Sequence, residues 1–467
     1  MKIEKIGRIL TLFFIAILPW SVVLSVFGTE IIHLSIARYF KEIFLVTIAL
    51  LYTYDVILRK IKITFDSIDK AILIFIGILL LVSFFNGTSL KGILYWLRYD
   101  TGFLVAFILF RRVFTLWNIT FQNVAKVFLI SGGCMLFLGL LIRYALDESI
   151  LTILWFSGAV SVWDAGWPPP IYHGIPGAAV VRFQGMLEWP NQMAFFLILY
   201  IGVYLSVFAK WRKYFFMNIL VVGMLLFLLM QTYSRSGYAG VFLWGVFVVG
   251  TLLFQAFRRG NLVRKYKITL WKVVTTGIIL VGVCLVLMLQ FWNKVAPIFE
   301  RHGSTSGHFE RMYIGLLRFR DHPLWQGLAQ SWPASRAVFS VNQEPVLDPP
   351  EDQSIRHVID LLKQRNPDFV FDTETYYIPE SWYIQQMIEG GIFWILIFLS
   401  ILLLLLFRLK DYKYILGATL WILFMNLLLH SFESVHTAMA WSMIIAAVIM
   451  MPKKSPERIL ESENVLR

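Results

Sequence analysis

Charge is scarce in this sequence: 15% of its 467 residues are Asp, Glu, Lys or Arg, against 58% hydrophobic residues. Soluble domains carry about 25% charged residues, so this scarcity excludes an ordinary soluble globular class and points to a polytopic membrane protein. Cysteine is nearly absent. The two present, Cys134 and Cys284, both fall inside apolar runs, and the long polar stretch after residue 292 has none, which argues against a disulfide framework. No phosphate-binding glycine loop or nucleotide fingerprint occurs. His173, His302, His308 and His322 show no metal-ligand spacing. Neither a cofactor nor a metal is therefore expected, and an ATP-driven or nucleotide-sugar mechanism is disfavoured. There is no internal repeat and no low-complexity tract.

What the sequence does contain is apolar runs of membrane-crossing length, which takes about 20 helical residues. They fall near 9–27, 36–57, 71–86, 93–110, 124–142, 190–209, 214–232, 237–257, 269–291, 381–407, 412–430 and 434–451. The first follows Lys2, Lys5 and Arg8 without a small-residue cleavage site and reads as a retained helix. The second is the weakest, because Arg38, Lys41 and Glu42 cluster at its start.

A net charge of +13 in a soluble chain would suggest nucleic acid. Here the basic residues gather in alternate short gaps, at Arg59, Lys60 and Lys62, at Arg111 and Arg112, at Lys210, Arg212 and Lys213, at 258–267, at 408–413 and at Lys453 and Lys454. Such alternation reports orientation rather than a nucleic-acid partner: both termini are expected to be cytoplasmic. The expected organisation is nine spans over 1–292, an extracytoplasmic loop over 293–380, three spans over 381–451 and a cytoplasmic tail over 452–467.

The polar interruption that runs from residue 293 to the helix start at Pro379-Glu380-Ser381-Trp382-Tyr383 is too long for a simple connection. It carries helical patches over His308 to Phe319 and Ser354 to Leu362, and its last part is acidic. It reads as the lid and wall of an outward-facing active site. Its place after the ninth span is also unlike a transporter of two parallel halves, whose break would lie at the middle.

Because the outer gaps are poor in basic residues, the arginines that do occur there are candidates for function. Arg182 precedes the sixth span, Arg235 occupies the turn Thr232-Tyr233-Ser234-Arg235-Ser236-Gly237, and Arg311 lies on an amphipathic segment that stops at His322-Pro323. A guanidinium presents a permanently charged planar fork that suits phosphate oxygens. The alternative for each is snorkelling to lipid headgroups or pairing with a carboxylate. Arg98 and Asp100 lie inside the fourth run and Glu389 inside the tenth, where ionisable groups either serve a site or pair with a neighbour. Two positions apart, Arg98 and Asp100 do not face one another on one helix.

Three stretches together resemble the O-antigen ligase and polymerase superfamily. They are Arg182-Phe-Gln-Gly185 followed by Pro190-Asn191, then Ser234-Arg235-Ser236-Gly237, then Tyr383-Ile-Gln385 leading to Glu389 and Gly391. The resemblance covers roughly residues 90 to 407. It implies an all-α polytopic fold of the GT-C type with about twelve transmembrane helices and a large, partly helical external loop between spans nine and ten. It also implies an inverting, metal-independent glycosyltransferase of the bacterial inner membrane, acting in surface polysaccharide biosynthesis. The donor would be an undecaprenyl-diphosphate-linked glycan, and the acceptor a hydroxyl of a glycan or lipid-glycan. By that resemblance Arg182, Arg235 and Arg311 bind the diphosphate, with Arg98, Asn191, Tyr383 and Glu389 in supporting positions. Glu380 stands where the family's ligases place a histidine, at the junction of loop and tenth span, and is expected to activate the acceptor hydroxyl. A transporter or flippase of lipid-linked glycan is the alternative.

Overall fold

The computed structural model describes residues 2–85, 87–146, 150–153, 173–175, 178–208, 215–242, 302–321, 323–324, 381–428 and 435–451, with single residues 245, 250 and 364. The helices are α1 (Lys2–Ile17), α2 (Ser21–Val26), α3 (Phe40–Arg59), α4 (Ser67–Phe85), α5 (Leu90–Tyr99), α6 (Gly102–Leu116) and α7 (Phe121–Tyr144), followed by the single turn α8 (Ile150–Ile153). After the strands β1 (His173–Ile175) and β2 (Ala178–Arg182) come α9 (Pro190–Phe208), α10 (Phe215–Gln231), α11 (His302–Asp321), α12 (Trp382–Leu409), α13 (Lys413–Leu428) and α14 (Val435–Ile449).

This is a helical membrane protein. Among the described residues, four helices are long and apolar enough to cross a bilayer, and a fifth crossing results if α5 and α6 form one bent span. The four are Ile3–Ile31, which joins α1 and α2 through short 3-10 and π turns, then α4, α7 and α9. α10, α13, α14 and the inner part of α12 are apolar but shorter. α3 occupies the second expected span but carries Lys41, Glu42, Asp55 and Arg59. The ninth expected span and the patch Ser354 to Leu362 lie outside the described residues, as does most of the expected external loop. From that loop α11 is described, and it extends the expected patch His308 to Phe319 at both ends.

Two departures from the sequence expectation bear on the site. β1 and β2 form a small antiparallel hairpin that pairs His173 with Arg182, so the described fold is not wholly helical. The fourth expected span is not one straight helix over 93–110 but α5 and α6, bent by 62°. The bend falls at Asp100 and Thr101, where a buried carboxylate interrupts an apolar run.

α14 is the axis of the bundle. Residues Val435 to Val448 are buried without a break, as expected of a helix that is apolar all round. It packs chiefly on α6, and also on α7 and α9. Around it α1 packs against α3 and α7, α9 against α10 and α13, and α12 against α4 and α13. Aromatic rings knit these contacts: Phe75 of α4 and Trp394 of α12 have ring centres 4.6 Å apart, in the range where tilted rings attract.

Ion pairs fasten one end of the bundle. Arg111 of α6 reaches Asp66 and Asp69, each at 2.6 Å, and Arg112 also pairs with Asp69. Arg59 joins Asp55 at 2.7 Å and Glu4 at 3.2 Å, and the Trp117 indole donates to Asp55. Asp69 and Asp55 are buried, and a buried carboxylate is tolerated only when paired and hydrogen-bonded in this way. The paired residues come from the basic gaps of the sequence, so the opposite end of the bundle is the one that carries β2, Arg182 and the Arg235 turn.

Candidate functional site

The turn between α10 and the short helix over 235–242 is built by its own side chains. The Thr232 hydroxyl donates to the Leu229 carbonyl at 2.7 Å and accepts from the Ser234 amide at 3.3 Å. Ser234 then caps the new helix, its Oγ accepting from the Gly237 amide at 3.2 Å and meeting the Ser236 hydroxyl at 3.1 Å. Tyr233 takes the left-handed conformation, φ 49°, that closes the reversal. Arg235 is consequently held in the first turn of a helix, where backbone amides add positive potential to the guanidinium. It is half-buried, and burial draws its guanidinium below the usual arginine range, though far from losing its charge at neutral pH.

Arg182 ends β2 and is locked to this turn. Its Nε donates to the Thr232 carbonyl and its Nη2 to Asn191 Oδ1, each at 2.9 Å. The neighbouring Phe183 amide donates to the Gln231 carbonyl at 2.7 Å, and the Arg143 guanidinium reaches the Val181 carbonyl at 3.3 Å. Three distant stretches, around 182, 191 and 232, therefore meet at one place. Gly185, with φ 57°, lets the chain turn from the strand into α9; a side chain there would strike the Met193 methyl, 2.3 Å from a built Cβ.

Arg311 is half-buried on α11, which packs against α12. The described contacts thus join Arg182 and Asn191 to the Arg235 turn, while Arg311 stands on a different pair of elements. The end of α11 enters a break in α12. Gly391 has φ 72°, the Ile392 amide donates to the Pro323 carbonyl at 3.0 Å, and a Cβ on Gly391 would lie 1.5 Å from the Leu324 carbonyl oxygen. Only glycine allows that approach.

Of the remaining candidates, Glu380 lies outside the described residues. Arg98 is engaged within the fold: its Nε pairs with Glu42 at 2.7 Å, and its guanidinium lies over the rings of Tyr39 and Tyr99. Tyr383 is likewise occupied, its hydroxyl donating to the Leu423 carbonyl at 2.9 Å and so tying α12 to α13. Glu389 is fully buried on α12, two residues before the break.

Several polar residues near this end were not among the candidate site residues, although Gln385 stands in the Tyr383-Ile-Gln385 stretch. Lys41 is only 8% exposed, and lies within electrostatic reach of Glu42 and Glu188; His436 at the start of α14 is within reach of Lys41. Gln385 and Gln386 are fully buried, and both aim their amides at Asp100, at 2.7 and 3.5 Å. A consecutive glutamine pair in the first turn of an apolar helix was the available signal.

No protein-family model matches the chain, and no curated protein sequence matches it significantly. The geometry of the site therefore carries the functional argument.

Proposed function

We propose that the protein is a membrane glycosyltransferase. It moves a glycan from an undecaprenyl-diphosphate carrier to an acceptor hydroxyl at the outer face of the bacterial inner membrane, in the manner of O-antigen ligases and polymerases. The observation that carries this reading is the clamp joining Arg182 to the Arg235 turn. It fixes Arg182 against the turn that leads into the helix whose first residue is Arg235, and guanidinium groups at a helix N-terminus suit a diphosphate.

In the reaction, the acceptor oxygen attacks the anomeric carbon as the bond from that carbon to the diphosphate oxygen breaks. Undecaprenyl diphosphate leaves with the bonding electrons, and configuration inverts. The arginines hold the charge that grows on the leaving group, so they stabilise the transition state more than the ground state. Glu380 takes the proton of the attacking hydroxyl. The twelve-span GT-C architecture, the outward-facing site and the place of Arg311 in the clamp belong to this proposal. So does the assignment of the polar loop as the wall that receives the acceptor.

A second reading, a transporter or flippase of the same lipid-linked glycan, draws support from the breaks in α12 and between α5 and α6, since discontinuous helices line the sites of many carriers. One assay separates the two. Purified protein in liposomes, given the lipid-linked glycan that accumulates in a deletion strain and a matching acceptor, should form a new glycosidic bond and release undecaprenyl diphosphate. Movement of intact donor across the bilayer without bond exchange would establish the transporter instead.

A further inference from the structure

We propose that the closed polar cluster around Asp100 is a subsite for neutral sugar rings of the transferred glycan, an inference that rests on the transferase reading. Two helices are interrupted in this part of the bundle. α5 and α6 bend by 62° at Asp100–Thr101, and α12 breaks at Gly391. At the first of these interruptions, Gln385 and Gln386 of α12 donate from Nε2 to Asp100 Oδ1 at 2.7 and 3.5 Å. Asp100, Thr101, Ser381, Gln385 and Gln386 are all fully shielded from solvent.

The unused hydrogen-bonding capacity of this cluster points to its ligand. Among the described residues, Gln385 Oε1, Gln386 Oε1, Ser381 Oγ and Thr101 Oγ1 have no hydrogen-bond partner. The same holds for the indole nitrogens of Trp96, one turn before Asp100, and of Trp394, whose ring centre lies 6.1 Å from that of Trp96. Native interiors seldom leave so many polar atoms unsatisfied in one place, and exceptions concentrate at functional sites. Non-helical backbone at membrane depth is in turn tolerated where it lines a site.

The set mixes acceptors with donors and adds flat aromatic rings. A phosphate would meet a carboxylate and two amide oxygens, which repel it. A metal cation would compete with the two glutamine amides that already occupy Asp100 Oδ1. A sugar hydroxyl both donates and accepts, and the C–H face of a pyranose stacks on an indole. Its α12 members are Ser381, at the helix start, and Gln385 and Gln386 about one turn later, and Ser381 follows Glu380 directly in the sequence.

The test uses the oligosaccharide released by mild acid from the lipid-linked glycan that accumulates in a deletion strain. It is titrated onto the full-length protein in nanodiscs and followed by saturation-transfer NMR. The double variant Gln385→Leu, Gln386→Leu should bind at least tenfold more weakly than the parent, and in the transfer assay its KM for the glycan should rise with kcat changed far less. Should the double variant fail to fold, Thr101→Val, which changes shape little, should still weaken binding about threefold. Parental Kd and KM in folded variants would overturn the subsite alone, leaving a cluster satisfied by water. A parent that transfers no glycan, or a deletion strain that accumulates none, removes the transferase reading and the subsite with it.

Discussion

Arg182 holds the carbonyl of Thr232 across a gap of fifty residues, with Nε to oxygen at 2.9 Å. The same guanidinium holds Asn191, so its planar fork joins the start of α9 to the turn that carries Arg235. A lysine keeps the charge but has a single ammonium that cannot span both partners. Arg182→Lys should therefore lower the transfer rate at least tenfold, with a smaller loss for Asn191→Leu. Because the two residues are in contact, the double variant should show a coupling of about 0.5–3 kcal/mol rather than simple additivity. Full activity in folded Arg182→Lys protein would remove the clamp from the mechanism.

Gly391 is expected to be intolerant of any side chain. Its positive φ costs an L-residue on the order of 1–3 kcal/mol before the collision with Leu324 is counted. Gly391→Ala should lower the melting temperature of the solubilised protein and its yield. Gly77→Ala is the control, since a Cβ on Gly77 meets nothing within 4 Å. Equal stability of the two variants would contradict the described packing of Pro323 and Leu324 into α12.

Asp66 gives a pH signature. Burial alone would raise its carboxyl, but the hydrogen bond from Arg111 and those from the backbone of Asp69 and Ile68 outweigh it and hold the group at about 2. The unfolded value is about 3.9, so folding favours the ionised form. The stabilisation is complete above about pH 4 and is lost as pH falls toward 2. Melting temperatures measured between pH 6 and pH 3 should decline for the parent and be flatter for Asp66→Asn; parallel curves would show that the pair contributes nothing.

Cysteines introduced at Ser304 and Gln353 should react with an impermeant thiol reagent in intact spheroplasts. This is the outcome expected from the alternation of basic gaps if the proposed topology, with the polar loop on the outer side, holds. Labelling that requires lysis would reverse the orientation and move the proposed site to the cytoplasm.

Glu380→Gln keeps shape and removes the base. It should leave donor binding intact while lowering transfer by about 10²- to 10⁴-fold, the usual contribution of a positioned base. If Glu380 served only the helix dipole, the variant would lose about 0.3–1 kcal/mol of stability and keep its rate. Turnover near the parental rate would shift attention to Asp100 and Glu188.

The sequence by itself determined that this is a helical membrane protein. Apolar runs of crossing length have few stable alternatives in lipid, because every backbone amide must be satisfied within its own segment. It also marked Arg182 and Arg235, because basic residues in otherwise bare gaps oppose the orientation rule. It did not determine who pairs with whom. Arg98 meets Glu42, 56 residues away, and Asp100 meets Gln385, 285 residues away. Each partner is an ordinary polar residue in its own stretch, and only packing makes the pair. The kink at Asp100, the entry of Pro323 into α12 and the burial of α14 have the same origin. They depend on which faces of which helices meet, a choice that hydrophobic periodicity leaves open in segments apolar on every side.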